Sequence, residues 1–168
     1  MATYNTIKIN NHSDNFEEYV ADAAILPGSL IELNTDNEVK VHATAGGNVG
    51  PKMFALEDAF EGKGIDDSYA AGDRVRCWFP APGDIVLAIL ADGQSVGEGT
   101  FLESNGAGYL QAHTPEEVSA SGQETEFTLY HAQIVAISLE EMDASSDSSG
   151  QDVGGGLGIN KRIRVRII

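Results

Sequence analysis

The chain has 168 residues, with ten Lys and Arg against 26 Asp and Glu and a formal charge of −16, and is long enough to bury roughly 70% of its unfolded surface within one domain. Its single cysteine, Cys77, excludes an intrachain disulfide and a cysteine-rich zinc site, and its longest strictly apolar run, from Ile85 to Ala91, falls far short of the ~20 residues that cross a bilayer as a helix. All the acids lie in residues 1–160, whereas Lys161, Arg162, Arg164 and Arg166 crowd the last eight positions; an acidic body of this kind repels phosphate backbones, so nucleic acid is not an expected partner, and the short apolar runs make a membrane no expected partner either.

The opening Met1-Ala2-Thr3-Tyr4-Asn5 has no basic or apolar segment of the kind that directs export, so synthesis in the cytoplasm, and use there or in a particle assembled there, is expected. Residues 1–23 scatter Ile7, Ile9, Phe16, Tyr19 and Val20 among Asn, Asp, Ser and Glu with neither a 3.6 nor a 2 period. That predicts an extended N-terminal arm, frayed or partner-seeking. Residues 24–168 are expected to form one β-rich domain.

From Ile25 onward short apolar stretches alternate with Gly, Pro, Asn and Asp. Strands are expected at Ser29–Leu33, Val39–His42, Arg74–Phe79, Ile85–Leu90, Thr100–Glu103, Gly108–Gln111 and Glu126–Leu139. Pro27-Gly28 and Pro82-Gly83 suit turns that need a fixed and then a positive φ, and Asp92-Gly93 favours a tight hairpin. The fold class is therefore mainly β, a compact barrel- or sandwich-like domain with one or two short helices. The helices are expected at Phe54–Phe60 and at Thr114-Pro115-Glu116-Glu117-Val118, which has a cap, a first-turn proline and an acidic start. Residues 140–156 lack apolar content and predict an acidic, flexible loop. After it, in a C-terminal strand over 161–168, Ile163-Arg164-Val165-Arg166-Ile167 alternates strictly. Ile163, Val165 and Ile167 are expected to face the core, and Arg162, Arg164 and Arg166 to form a solvated row pairing with acids on the neighbouring strand or facing an acidic partner.

Catalytic and metal motifs are weak. Gly93-Gln94-Ser95-Val96-Gly97 fits the nucleophile-elbow pattern, with Glu116 and His131 as acid and base in hydrolase order, but the elbow needs a strand turning into a helix and the glycines and Thr100-Phe101-Leu102 predict a hairpin. Gly46-Gly47-Asn48-Val49-Gly50-Pro51-Lys52 is similar to a phosphate loop, yet Pro51 precedes the lysine and Met53 replaces the magnesium-binding hydroxyl. Asp143, Asp147 and Asp152 lack calcium-loop spacing. His12, His42, His113 and His131 form no ligand pair, and Cys77 beside Trp78 is expected in or near the core. No catalytic residue, metal site or cofactor is expected, and the chain is not expected to be an enzyme.

The order of the remaining motifs resembles the capsid cement, or head-decoration, proteins of tailed bacteriophages. The resemblance covers most of residues 25–168. It runs through Ile25-Leu26-Pro27-Gly28-Ser29-Leu30-Ile31-Glu32, Phe54-Ala55-Leu56-Glu57-Asp58, and the stretch from Gly62-Lys63-Gly64 to Gly72-Asp73-Arg74-Val75. It continues in Ile85 to Gly93, Gly99-Thr100-Phe101-Leu102-Glu103-Ser104, Gly108-Tyr109-Leu110, Ile134 to Glu141 and the final Ile163–Ile167 strand. The resemblance implies a virion protein on the outer surface of the expanded head, with the major capsid protein as partner, assembled as a homotrimer more readily than a dimer. The capsid contacts expected on this reading are Ile7, Ile9, Phe16 and Tyr19 in the arm and Lys161, Arg162, Arg164 and Arg166 in the tail. The alternative is a non-catalytic carbohydrate- or receptor-binding virion module resting on exposed aromatics such as Trp78.

Overall fold

The computed structural model describes residues 4–12, 14–115, 132–144 and 162–168, all in strands, turns and connecting segments. Among these residues thirteen strands follow in order: β1 Lys8–Asn10, β2 Phe16–Val20, β3 Ile31–Leu33, β4 Val39–Val41, β5 Phe54–Ala55, β6 Arg74–Trp78, β7 Ile85–Ile89, β8 Ser95–Val96, β9 Phe101–Ser104, β10 Leu110–Ala112, β11 Ile134–Ser138, β12 Met142–Asp143 and β13 Arg162–Ile167. They build a six-stranded sheet in the order β1-β7-β13-β11-β9-β10, a three-stranded sheet β2-β6-β5 and the pairs β3-β4 and β8-β12. The fold is mainly β, as expected. A parallel bridge between Leu90 and Leu110 draws the β10 edge back toward the end of β7, but among the described residues the sheet does not close into a barrel.

Alternation along strands divides the interior. On β6, Trp78 joins Phe54, Leu30 and the inner residues of the six-stranded sheet, among them Val86, Leu102 and Val165, in the larger core. The intervening Val75 and Cys77 turn the other way, into a second cluster with Ala55, Ile31 and Val39. The β2-β6-β5 sheet thus contributes to two cores because successive side chains leave a strand on opposite faces. The apolar run Ile85–Ile89 is legible as a central strand: β7 lies between β1 and β13, and its last four residues are buried.

Several expectations are corrected. Among the described residues there is no helix, and hence none long and apolar enough to cross a bilayer. Phe54–Phe60 is instead β5 followed by turns, because Phe54 and Ala55 pair with Trp78 and Cys77 and each is buried in a different core. Thr114 and Pro115 are irregular, and residues 116–118 lie outside the described residues. Within 1–23, the segment expected as a separate arm, β1 adds to β7 and β2 to β6, and the Ile7 side chain is fully buried. The expected acidic loop begins as structure: Met142–Asp143 pairs with β8 and Ala144 is buried. Residues 145–156 lie outside the described residues. Asp92-Gly93 does turn, with Gly93 at φ 77, but β8 then pairs with β12 rather than folding back on β7.

Candidate interaction surface

The β2–β6 register sets Phe16 opposite Trp78 and Glu18 opposite Arg76 on one face. Diagonal neighbours on a sheet reach each other when the side chains are long or aromatic, and the Arg76 guanidinium lies over the Phe16 ring at 5.3 Å. The turn after β5 brings the Phe60 ring to the same guanidinium, at 4.8 Å. Phe60 is 86% exposed and Phe16 46%, so the arginine is met by two rings that themselves face water. Cation–π attraction is the physical tie. Among the described residues no carboxylate pairs with Arg76, and its Nε is buried without a hydrogen-bond partner. Beside the stack is a depression of about 250 Å³ edged by Glu18, Asp58, Asp73 and Arg74. Asp58 and Asp73 are held as turn caps, accepting from the N–H of Glu61 (3.3 Å) and of Ala70 (2.8 Å).

The residues expected to contact a partner are not gathered into one patch. Phe16 and Tyr19 lie on β2; Tyr19 is half-buried, and its hydroxyl donates to the Glu17 carboxylate, which holds the phenol above its ordinary pKa. Ile9 is half-buried on β1. Ile7 is inaccessible: its N–H donates to Glu57 Oε2 at 3.0 Å while its side chain fills the larger core. On β13 the three inward residues are buried as expected. The arginine row divides. Arg162 is buried, donating to Asp66 Oδ1 (2.5 Å), the Pro27 carbonyl (3.0 Å) and the Ile65 carbonyl. Burial lowers its pKa, and the Asp66 contact works against that shift. Arg164 pairs with Glu140 at 3.2 Å, next to β11, and lies over the Tyr4 ring at 5.7 Å. Arg166 is exposed. Lys161 lies outside the described residues.

The discarded motifs also find their places. Ser95 is exposed on β8, followed by a turn in which Gly99 has φ 84 rather than by a helix, so the elbow geometry is missing; Glu116 and His131 lie outside the described residues. Gly46, in the loop similar to a phosphate cradle, faces the carboxylate of Glu103, and Lys52 donates to the backbone oxygen of Ile168. A carboxylate there repels a phosphate. Asp143 is in β12, and Asp147 and Asp152 lie outside the described residues. Among the described residues no three His, Cys, Asp or Glu side chains gather as metal ligands. His12 contacts the buried Asp84 (3.0 Å), His42 the Ser104 hydroxyl (2.8 Å) and His113 Glu103 (2.5 Å). Trp78 is fully buried and offers no platform for a sugar ring.

Phe60 and Arg76 were not singled out by the sequence. The alternation Arg74-Val75-Arg76-Cys77 marks an exposed face on β6, but only the pairing of β2 with β6 shows which rings meet it.

No family model matches the chain, and no curated protein matches it. Among solved structures, it is similar to the N base of the head fiber gp8.5 of bacteriophage phi29. That likeness covers 92% of this chain and 93% of the other, with a TM-score of 0.49 and 11% sequence identity.

Proposed function

We propose that this chain is a structural virion protein that binds the outer surface of the expanded capsid of a tailed bacteriophage and stabilises it. The observation that carries the reading is the exposed Phe16–Arg76–Phe60 stack. Aromatics and arginine are the residues enriched at protein–protein contacts, and they dominate binding energy where they are held rigid before the partner arrives. The order of motifs from Ile25 to Ile167 supports the same reading. On it, the major capsid protein is the partner, the protein assembles with itself as a trimer more readily than as a dimer, and no chemistry is performed. The surplus of acids keeps a densely decorated shell soluble.

The test is co-sedimentation of the purified protein with undecorated expanded heads of the virus that encodes it, with unexpanded procapsids as control. Saturable binding to expanded heads alone is the expected result, and the saturation ratio gives the copy number per capsomer. Binding to neither overturns the reading. Sedimentation velocity of the free protein separates trimer from dimer.

A further inference from the structure

Strand β2 is the outer strand of its sheet. At its two ends the Phe79 N–H donates to the Asn15 carbonyl (2.9 Å) and the Ala21 N–H to the Asp73 carbonyl (2.8 Å). Bonded and non-bonded pairs alternate along an antiparallel ladder. The odd-numbered residues of β2 therefore bond β6, and the peptide groups of Phe16 and Glu18 point away from it. Among the described residues no strand pairs with this outer edge from Phe16 to Tyr19; its neighbour at the far end is the parallel bridge Ala21–Val39. Residues 16–20 contain neither a proline nor a register shift, the devices that commonly disable an edge.

We infer that the outer edge of β2 takes up an extended, basic segment of the partner by strand addition. The capsid-binding reading supplies the identity of that partner and nothing else in the inference. Main-chain hydrogen bonds to Phe16 and Glu18 give affinity, and side chains at alternate positions give selectivity. The added residue opposite Glu18 shares a face with Phe16 and Arg76, and the next, opposite Glu17, lies on the other face. Lysine or arginine at those two positions completes cross-strand charge pairs, with apolar residues opposite Phe16 and Val20. The exposed ring of Phe16, on β2 itself, supplies apolar contact at that edge.

Charge chooses this occupant over a second copy of the chain. Two β2 edges meeting antiparallel about Glu18, or about Glu17, set carboxylate against carboxylate, which is destabilising. The two glutamates thereby guard the edge against its own kind while admitting a basic strand.

The probe is a ten-residue peptide with Val-Thr-Lys-Arg-Val at its centre, and its counterpart with both basic residues replaced by glutamate. The basic peptide is expected to bind the full-length protein and to slow hydrogen exchange at the Phe16 and Glu18 amides, and the acidic one to do neither. Glu17→Lys/Glu18→Lys is expected to weaken both peptide and head binding by about tenfold or more, from like-charge juxtaposition. Glu18→Pro removes an outward N–H that the fold does not use, so it should keep the wild-type circular dichroism and lose the peptide. Equal binding of the two peptides, no binding of the basic one, or unchanged head binding by a folded double variant overturns the inference. Wild-type protein that takes the basic peptide but ignores heads overturns the capsid reading and leaves the edge assignment standing.

Discussion

At the scale of single residues, the fold leans on two charged groups that a hydrophobic count passes over. Asp84 is fully buried, and its carboxylate accepts from the N–H of His12 (2.6 Å) and of Ala81 (2.8 Å), so one side chain ties the segment between β1 and β2 to the turn before β7. Asp84→Ala leaves both donors without a partner and is expected to cost about 2–4 kcal/mol, read from urea unfolding at pH 7. The loss should be confined to stability, with peptide uptake at β2 unchanged below the transition. Arg162 does the same for the other end of the sheet, holding the Ile65 and Pro27 carbonyls against β13. Two further groups set an alkaline limit. Burial pushes the Cys77 thiol up to about 12 and the Tyr69 hydroxyl up to about 12, from ordinary values of 9.0 and 10.0. Between those values the unfolded chain gives up protons that the native state keeps, so their contribution is fully present below pH 9 and is lost as pH rises toward 12. The urea midpoint is expected to fall over that interval, and Cys77→Ala to make the fall shallower. A midpoint equally steep in Cys77→Ala contradicts the assignment. The thiol should also resist disulfide reagents at pH 8 until the protein unfolds.

At the scale of elements, what the sequence discloses depends on whether a strand's environment is written in its own residues. β13 was legible because strict alternation of arginine with β-branched residues leaves one choice of inner face, and Ile163, Val165 and Ile167 are buried. β7 was legible because a strand covered by neighbours on both sides reads as a continuous apolar run. β2 was not, since Phe-Glu-Glu-Tyr-Val on an outer edge has no burial to impose a period, and its partner β6 begins 54 residues away. Pairing over such distances is a tertiary choice. β8 and β12 join across a similar gap, while the Asp92-Gly93 turn that suggested a local hairpin bends the chain without supplying the partner. The arginine row was half legible: alternation put Arg162 outward, but the turn around Asp66 folds over that end of β13 and buries it. The same logic predicts that residues 2–20 are not dispensable. Ile7→Ala is expected to cost about 3 kcal/mol through the cavity it leaves in the larger core, and deletion of residues 2–20 to lose cooperative thermal unfolding. A truncated protein that melts cooperatively near the wild-type temperature would restore the separate arm.

At the scale of the whole molecule, the proposed capsid reading fixes how the amount of protein and its charge should act on a shell. A ligand that binds one state of a lattice and not the other stabilises that state by RT ln(1 + [L]/Kd), about 2.7 kcal/mol per site when the free protein is at a hundredfold its Kd. On the proposed reading, the thermal disruption temperature of expanded heads rises with the logarithm of added protein, without a plateau at stoichiometric occupancy, while that of procapsids is flat. Charge makes the effect depend on salt. If Glu17 and Glu18 meet basic residues at the rim of the contact, raising ionic strength from low to physiological should slow association more than it speeds dissociation, because screened charges act chiefly on encounter. The aromatic contact at Arg76 carries the opposite signature. Phe60→Ala removes an exposed ring with little packing to lose, so it should leave unfolding nearly unchanged and act on dissociation, shortening residence on heads several-fold at any salt concentration. A Phe60→Ala protein with wild-type residence time would remove the stack from the contact, and with it the observation on which capsid binding is proposed.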